Sequence, residues 1–76
     1  MSDGKITKVT APMVGKIIKV NVKPGDKVVQ DQPIIVFESM KIEMEIMAPL
    51  AGTIKEVSAS VGQVIEAEQT LTTIES

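Results

Sequence analysis

Met40 and Lys41, inside the stretch ESMKIE from Glu38 to Glu43, have the strongest claim to chemistry in this sequence. A lysine offers a primary amine, which near neutral pH is almost wholly protonated in water. Making such an amine a catalytic nucleophile takes an apolar pocket or a cationic neighbour. The residues around Lys41 supply neither. The chemistry that fits is modification: another enzyme acylates the amine, the attached group reacts, and the protein supplies position. Other reactive side chains are missing. The chain has no His and no Cys, which removes imidazole acid–base catalysis, thiolate nucleophiles and the commonest zinc ligands. Its scattered Asp and Glu form neither a catalytic pair nor a calcium loop. No catalytic residue and no metal site is expected.

The surroundings of Met40-Lys41 must place the amine. ESMKIE lies between two strand-like runs, PIIVF and IEMEIM, so the chain has to turn there. The turn contains no Gly, Pro, Asn or Asp, the residues that make tight turns cheap. A two-residue hairpin of the usual kind asks both central residues for positive φ. Strain of that sort is of order 1–3 kcal/mol per residue. A local rule broken inside an otherwise consistent sequence marks a functional site.

The rest of the chain repeats itself. APMVGKIIKVNVKPGDKVVQDQPIIVFES, from Ala11 to Ser39, aligns without gaps on APLAGTIKEVSASVGQVIEAEQTLTTIES, from Ala48 to Ser76. Ala-Pro, Gly15/Gly52, Ile17/Ile54, Val20/Val57, Gly25/Gly62, Gln32/Gln69 and the closing Glu-Ser recur. Two copies are too few for a solenoid, which needs about three or more. Two β-rich halves related by a pseudo-two-fold axis fit better. Dense β-branched residues and Ala-Pro, Pro-Gly and Val-Gly breaks predict strands near Ile6–Thr10, Lys16–Val22, Lys27–Val29, Ile34–Ser39, Ile42–Met47, Thr53–Ala59, Val64–Glu66 and Leu71–Glu75. No window has a capped helical period. Ile17 and Val20 lie three apart, so a bulge is needed to give both to one core face. Pro24-Gly25 suits the centre of a type II turn. The expected fold is all-β: a flattened barrel or sandwich of two interlocked four-stranded halves, residues 1–76 forming one domain.

The same offset carries Met40-Lys41 back onto Asp3-Gly4, ordinary turn chemistry. The chain termini should therefore meet at one end and Met40-Lys41 should stand at the other. Composition narrows the partners. The net charge is −2, no Arg is present, and Phe37 is the single aromatic residue. Neither a duplex-binding surface nor a base-stacking platform is expected, hence no nucleic acid. No apolar run reaches transmembrane length, and MSDGKITK lacks the apolar core of a signal peptide. The expectation is a soluble cytoplasmic domain without membrane insertion. GDKVVQDQ reads as a turn and a solvated edge. Met44 and Met47 read as packing residues, since Met fills irregular gaps.

ESMKIE resembles the Met-Lys attachment motif of biotinyl domains, whose close relatives are the lipoyl domains. The resemblance takes in the Ala-Pro-x-x-Gly opening, the Val-x-x-Gly-Asp-x-Val run at Val22 to Val28, the Met-Lys tip and the second Ala-Pro-x-x-Gly. It implies that Lys41 carries covalent biotin. It implies that Met40, with Glu38, Ser39 and Ile42, forms the surface that a biotin protein ligase recognises. The implied function is a non-catalytic biotin carboxyl carrier. Such a domain shuttles a carboxyl group between a biotin carboxylase and a carboxyltransferase acting on an acyl-CoA or an oxo acid. The commonest family tip is Ala-Met-Lys-Met; Ser39 and Ile42 depart from it. Some biotinyl domains insert a thumb between early strands, and the Val22–Lys27 connection is too short for one. Lipoyl domains usually have Asp before the lysine. Met40 therefore favours biotin over a lipoyl carrier of a 2-oxo acid dehydrogenase or glycine cleavage system. An unmodified interaction module of the same fold is the third reading.

Overall fold

Among the described residues, valine- and isoleucine-rich runs broken by turn residues fold into eight strands and no helix. A computed structural model of the chain describes residues 4–76, so the Asp3 half of the expected terminal turn lies outside the described residues. The strands are β1 (Ile6–Thr10), β2 (Gly15–Val20), β3 (Lys27–Val28), β4 (Pro33–Ser39), β5 (Ile42–Met47), β6 (Gly52–Val57), β7 (Val64–Ile65) and β8 (Thr70–Glu75). They form two antiparallel four-stranded sheets, ordered β1-β8-β6-β3 and β5-β4-β2-β7. The offset that carries Ala11 onto Ala48 turns the first order into the second. Each sheet draws two strands from each half, so the halves interlock as expected.

The core obeys the same symmetry. Its buried apolar residues pair by the offset: Val9 with Ile46, Ala11 with Ala48, Ile17 with Ile54, Val28 with Ile65, Ile34 with Leu71 and Phe37 with Ile74. One pair is unequal. Ile35 corresponds to Thr72, which is fully buried and donates its hydroxyl to the Glu56 carbonyl, so the polar atom in the core has a partner. Thr73 is less well served: its buried Oγ1 has no partner, where the equivalent residue in the other sheet is Val36.

The bulge is present. Register shifts between Ile17 and Lys19 against β4, and in the other half between Ile54 and Glu56 against β8. Ile17 is buried and Val20 packs partly buried against the same core. Pro24-Gly25 turns as expected, with Gly25 at φ 95° and the Asp26 N–H donating to the Lys23 carbonyl at 3.0 Å. Gly62 at φ 89° and the Gln63 N–H to Ser60 carbonyl bond of 3.0 Å repeat it. A second pair of turns was not expected. Gln32 Oε1 accepts from the Val29 N–H and Gln69 Oε1 from the Glu66 N–H, both at 3.0 Å. Asp31 at φ 70° and Glu68 at φ 66° sit inside these turns.

Several strand ends differ from the expected ones. β2 and β6 start at glycine and stop at Val20 and Val57. Val22 and Ala59 are nonetheless buried: they fill the core from loop backbone, which hydrophobicity alone cannot separate from strand. Val29 and Glu66 leave the ladder for the turns just described. β4 begins at Pro33, which is tolerated as a first strand residue because the ladder needs no N–H there. Met44 packs partly buried as expected, but Met47, paired with Pro33 at the end of β5, is half exposed. Among the described residues no helix is long and apolar enough to cross a membrane.

Candidate attachment site

β4 lies inside its sheet, between β2 and β5, and β5 follows it after two residues. The ladder runs Phe37 to Met44, Glu38 to Glu43 and Ser39 to Ile42, so pairing persists to the last residue before the turn. The turn is Met40 at φ 55° and Lys41 at φ 67°. Two consecutive positive values are the signature of the type I′ hairpin. No glycine eases it. Both side chains point to solvent, Met40 with 87% of its surface free.

Two features hold this turn in place. Ser39, only 5% exposed, donates its hydroxyl to the Val14 carbonyl at 2.8 Å. That bond ties the hairpin to the loop joining β1 and β2. Gly15 then lets β2 pass close under β4. A Cβ on Gly15 would lie 2.4 Å from Phe37 Cε2 and 2.5 Å from the Glu38 carbonyl oxygen, and backbone that close cannot give way. Gly15 belonged to the repeated Ala-Pro-x-x-Gly pattern, which flagged it without its reason. The partner of Ser39 left no trace in the sequence, because the two residues bond across 25 positions.

The residues expected to flank the lysine fall into two groups. Met40, Ile42 and Glu43 are exposed and Glu38 is half-buried. Glu38 stands in a cross-strand row with Glu43 on one side and Lys16 on the other. Ile42 shares the inward parity of Met44 and Ile46, but it lies where the core runs out and remains 63% exposed. Ser39 faces inward instead, its hydroxyl engaged with Val14. The structure thus groups Met40, Lys41, Ile42 and Glu38 around one turn and sets Ser39 beneath it.

The opposite end of the barrel is made by equivalent residues. Lys5 and Ser76 exchange both backbone hydrogen bonds, at 3.1 and 2.9 Å, in the position that Ile42 and Ser39 occupy at the turn. β1 and β8 run between this pair and the loop of residues 11–14. Along the strands, Lys41 therefore stands at one end and Lys5 with Ser76 at the other.

A protruding lysine on a rigid, strained hairpin, with no enclosed cavity among the described residues, can present an amine to another protein's site. A family model described as biotin-requiring enzyme matches residues 7–74. The chain belongs to the biotin-requiring enzyme family. It is 47% identical over 64 residues to the biotin carboxyl carrier protein of Streptococcus mutans, covering 84% of this chain and 49% of that one. The chain thus spans about half the length of that relative. It is 45% identical over 58 residues to the biotin carboxyl carrier protein of acetyl-CoA carboxylase from Solanum lycopersicum, covering 76% of this chain and 83% of the relative. Among solved structures, a single-chain, multi-domain long-chain acyl-CoA carboxylase superposes with a TM-score of 0.88. The match covers 99% of this chain and 8% of that one at 23% identity, a likeness of fold alone.

Proposed function

We propose that this chain is a biotin carboxyl carrier: a non-catalytic domain that holds biotin on Lys41 and presents it to enzyme sites elsewhere. The observation that carries the reading is the Met40-Lys41 turn, two exposed positive-φ residues on a hairpin anchored in the sheet. Family membership and the two carrier relatives support it.

The geometry fits a covalent arm. Lys41 Nζ is the acyl acceptor: it displaces the leaving group of a biotin carboxyl activated by the ligase, loses a proton and becomes a neutral amide. The turn keeps that atom clear of the barrel wall, and Ser39 and Gly15 hold the turn still. On this reading a biotin protein ligase recognises Met40, Ile42 and Glu38, which are grouped around the turn, and Ser39 acts from beneath through position. Bound biotin supplies a ring nitrogen that can carry a carboxyl group. The partners on this reading are a biotin carboxylase and a carboxyltransferase acting on an acyl-CoA or an oxo acid, in the cytoplasm. Placement at a free end suits delivery to both, because tethering raises local concentration at each site.

The test is intact mass after co-expression with a biotin protein ligase, with Lys41→Arg alongside. The expected result is a biotin-sized increment in the parent protein and none in the variant. An increment that survives in Lys41→Arg would remove Lys41 as the attachment residue; a lipoyl-sized increment would replace biotin.

A further inference from the structure

Residues 4–39 and 42–76 are joined in the chain through Met40 and Lys41 alone. Among the described residues, two strand pairings lie within a half: β2 with β4, and β6 with β8. The others, β1 with β8, β2 with β7, β3 with β6 and β4 with β5, cross from one half to the other. The hydrogen bonds between Lys5 and Ser76 cross as well. None of these contacts needs the two halves to belong to one chain. The contacts that brace the turn stay inside the first half, since Ser39 bonds Val14 and Gly15 passes close under Phe37 and Glu38. The link itself is the strained part: Met40 and Lys41 both hold positive φ without glycine. A short hinge under strain favours the exchange of identical elements between copies.

We propose that a second copy of this chain is a partner of the first, the two exchanging halves about an opened Met40-Lys41 turn. In that dimer residues 33–47 of each chain run on as one extended segment from one barrel into the other. Residues 42–76 of each copy complete the barrel begun by residues 4–39 of its partner. Every strand pairing is retained, and both left-handed residues relax to extended backbone in each copy. The closed monomer keeps the advantage of pairing within one chain, so the balance depends on concentration. Exchange requires the crossing pairings to come apart, so it proceeds through unfolding, and an isolated dimer persists on dilution. Lys41 then stands between two barrels instead of at a free end. Its effect on loading rests on the carrier reading above; the exchange itself does not.

The experiment refolds the full chain from urea at millimolar concentration and separates the products by size-exclusion chromatography with light scattering. Ile6→Cys with Glu75→Cys reports which copy supplies each half. These positions face each other across β1 and β8, antiparallel partners lie within disulfide reach, and the chain has no cysteine of its own. Oxidised after separation, the dimer should run as two linked chains on a non-reducing denaturing gel, and the monomer as one. Met40→Asn with Lys41→Gly relieves two hinges per dimer and should lower its association constant by about thirtyfold or more. A chain that refolds wholly as monomer overturns the proposal. So does a dimer whose disulfides close within single chains, or an Asn-Gly variant that dimerises equally. A biotin ligase time course on the two fractions should load the monomer faster. Equal rates overturn the shielding of Lys41, and no loading of either fraction overturns the carrier reading alone.

Discussion

Replacing Met40-Lys41 by Asn-Gly should make the protein more stable and useless as a carrier. Met40 at φ 55° and Lys41 at φ 67° both occupy the left-handed region. That region costs an L-residue roughly 1–2 kcal/mol, so the pair stores about 2–4 kcal/mol. Glycine at the second position removes its share, less roughly 0.5–1 kcal/mol for the extra freedom of the unfolded chain. Asparagine retains part of the first residue's cost. The net gain is about 1–2 kcal/mol. In a domain this small each kcal/mol moves the melting temperature by roughly 4–8 °C, so a rise of that size or more is expected. Neither side chain makes core contacts that the change would forfeit, since both are exposed. The assay is thermal and urea unfolding of both proteins, with an unchanged urea slope showing that the unfolded state is comparable. Met40→Asn alone should give a smaller gain and retain the amine. An unchanged or lower melting temperature in the double variant would refute the idea that the turn is held against its own preference.

Other expectations follow from the same geometry. Gly15→Ala should cost about 2–3 kcal/mol or more, because its Cβ would stand against the Glu38 carbonyl; urea unfolding measures it. Thr73→Val should stabilise by about 1 kcal/mol, removing a buried hydroxyl that has no partner from a position whose equivalent is already Val36. Gln32→Ala and Gln69→Ala should each cost about 1 kcal/mol by leaving a turn N–H without its side-chain acceptor. The pseudo-symmetry requires the two losses to agree closely, which differential unfolding can check. Met40→Asp should slow biotin loading in a ligase time course without lowering stability; equal rates would show that Met40 is not read.

The repeat made the architecture legible. Once Ala11–Ser39 is laid on Ala48–Ser76, β-branched density and the Pro-Gly break give the strands, the bulge at Ile17 and the turn at Gly25. The Met-Lys turn was legible for the opposite reason: its residues are wrong for their place. What sequence could not show depends on contacts distant along the chain. In the sequence Ser39 is one more residue beside the Met-Lys tip, and only tertiary structure reveals that its hydroxyl meets Val14. Val22 and Ala59 looked like strand because burial and strand share a hydrophobic signal. The turns at Asp31 and Glu68 escaped notice because neither residue is a glycine, and their closing Gln side chains act over three positions with no named motif.

The interlocking of the sheets bears on cargo number. Neither half can complete a sheet alone, yet two separate copies of one half, meeting about the same axis, would rebuild both sheets. Such a pair would carry an open seam at each end and no closed hairpin, hence no turn to lift an arm. Fusing the copies into one chain leaves a continuous turn at Met40-Lys41 and a hydrogen-bonded seam at Lys5 and Ser76. The link that unites the halves thus also sets the stoichiometry, one arm to a barrel, and gives a symmetric body a direction.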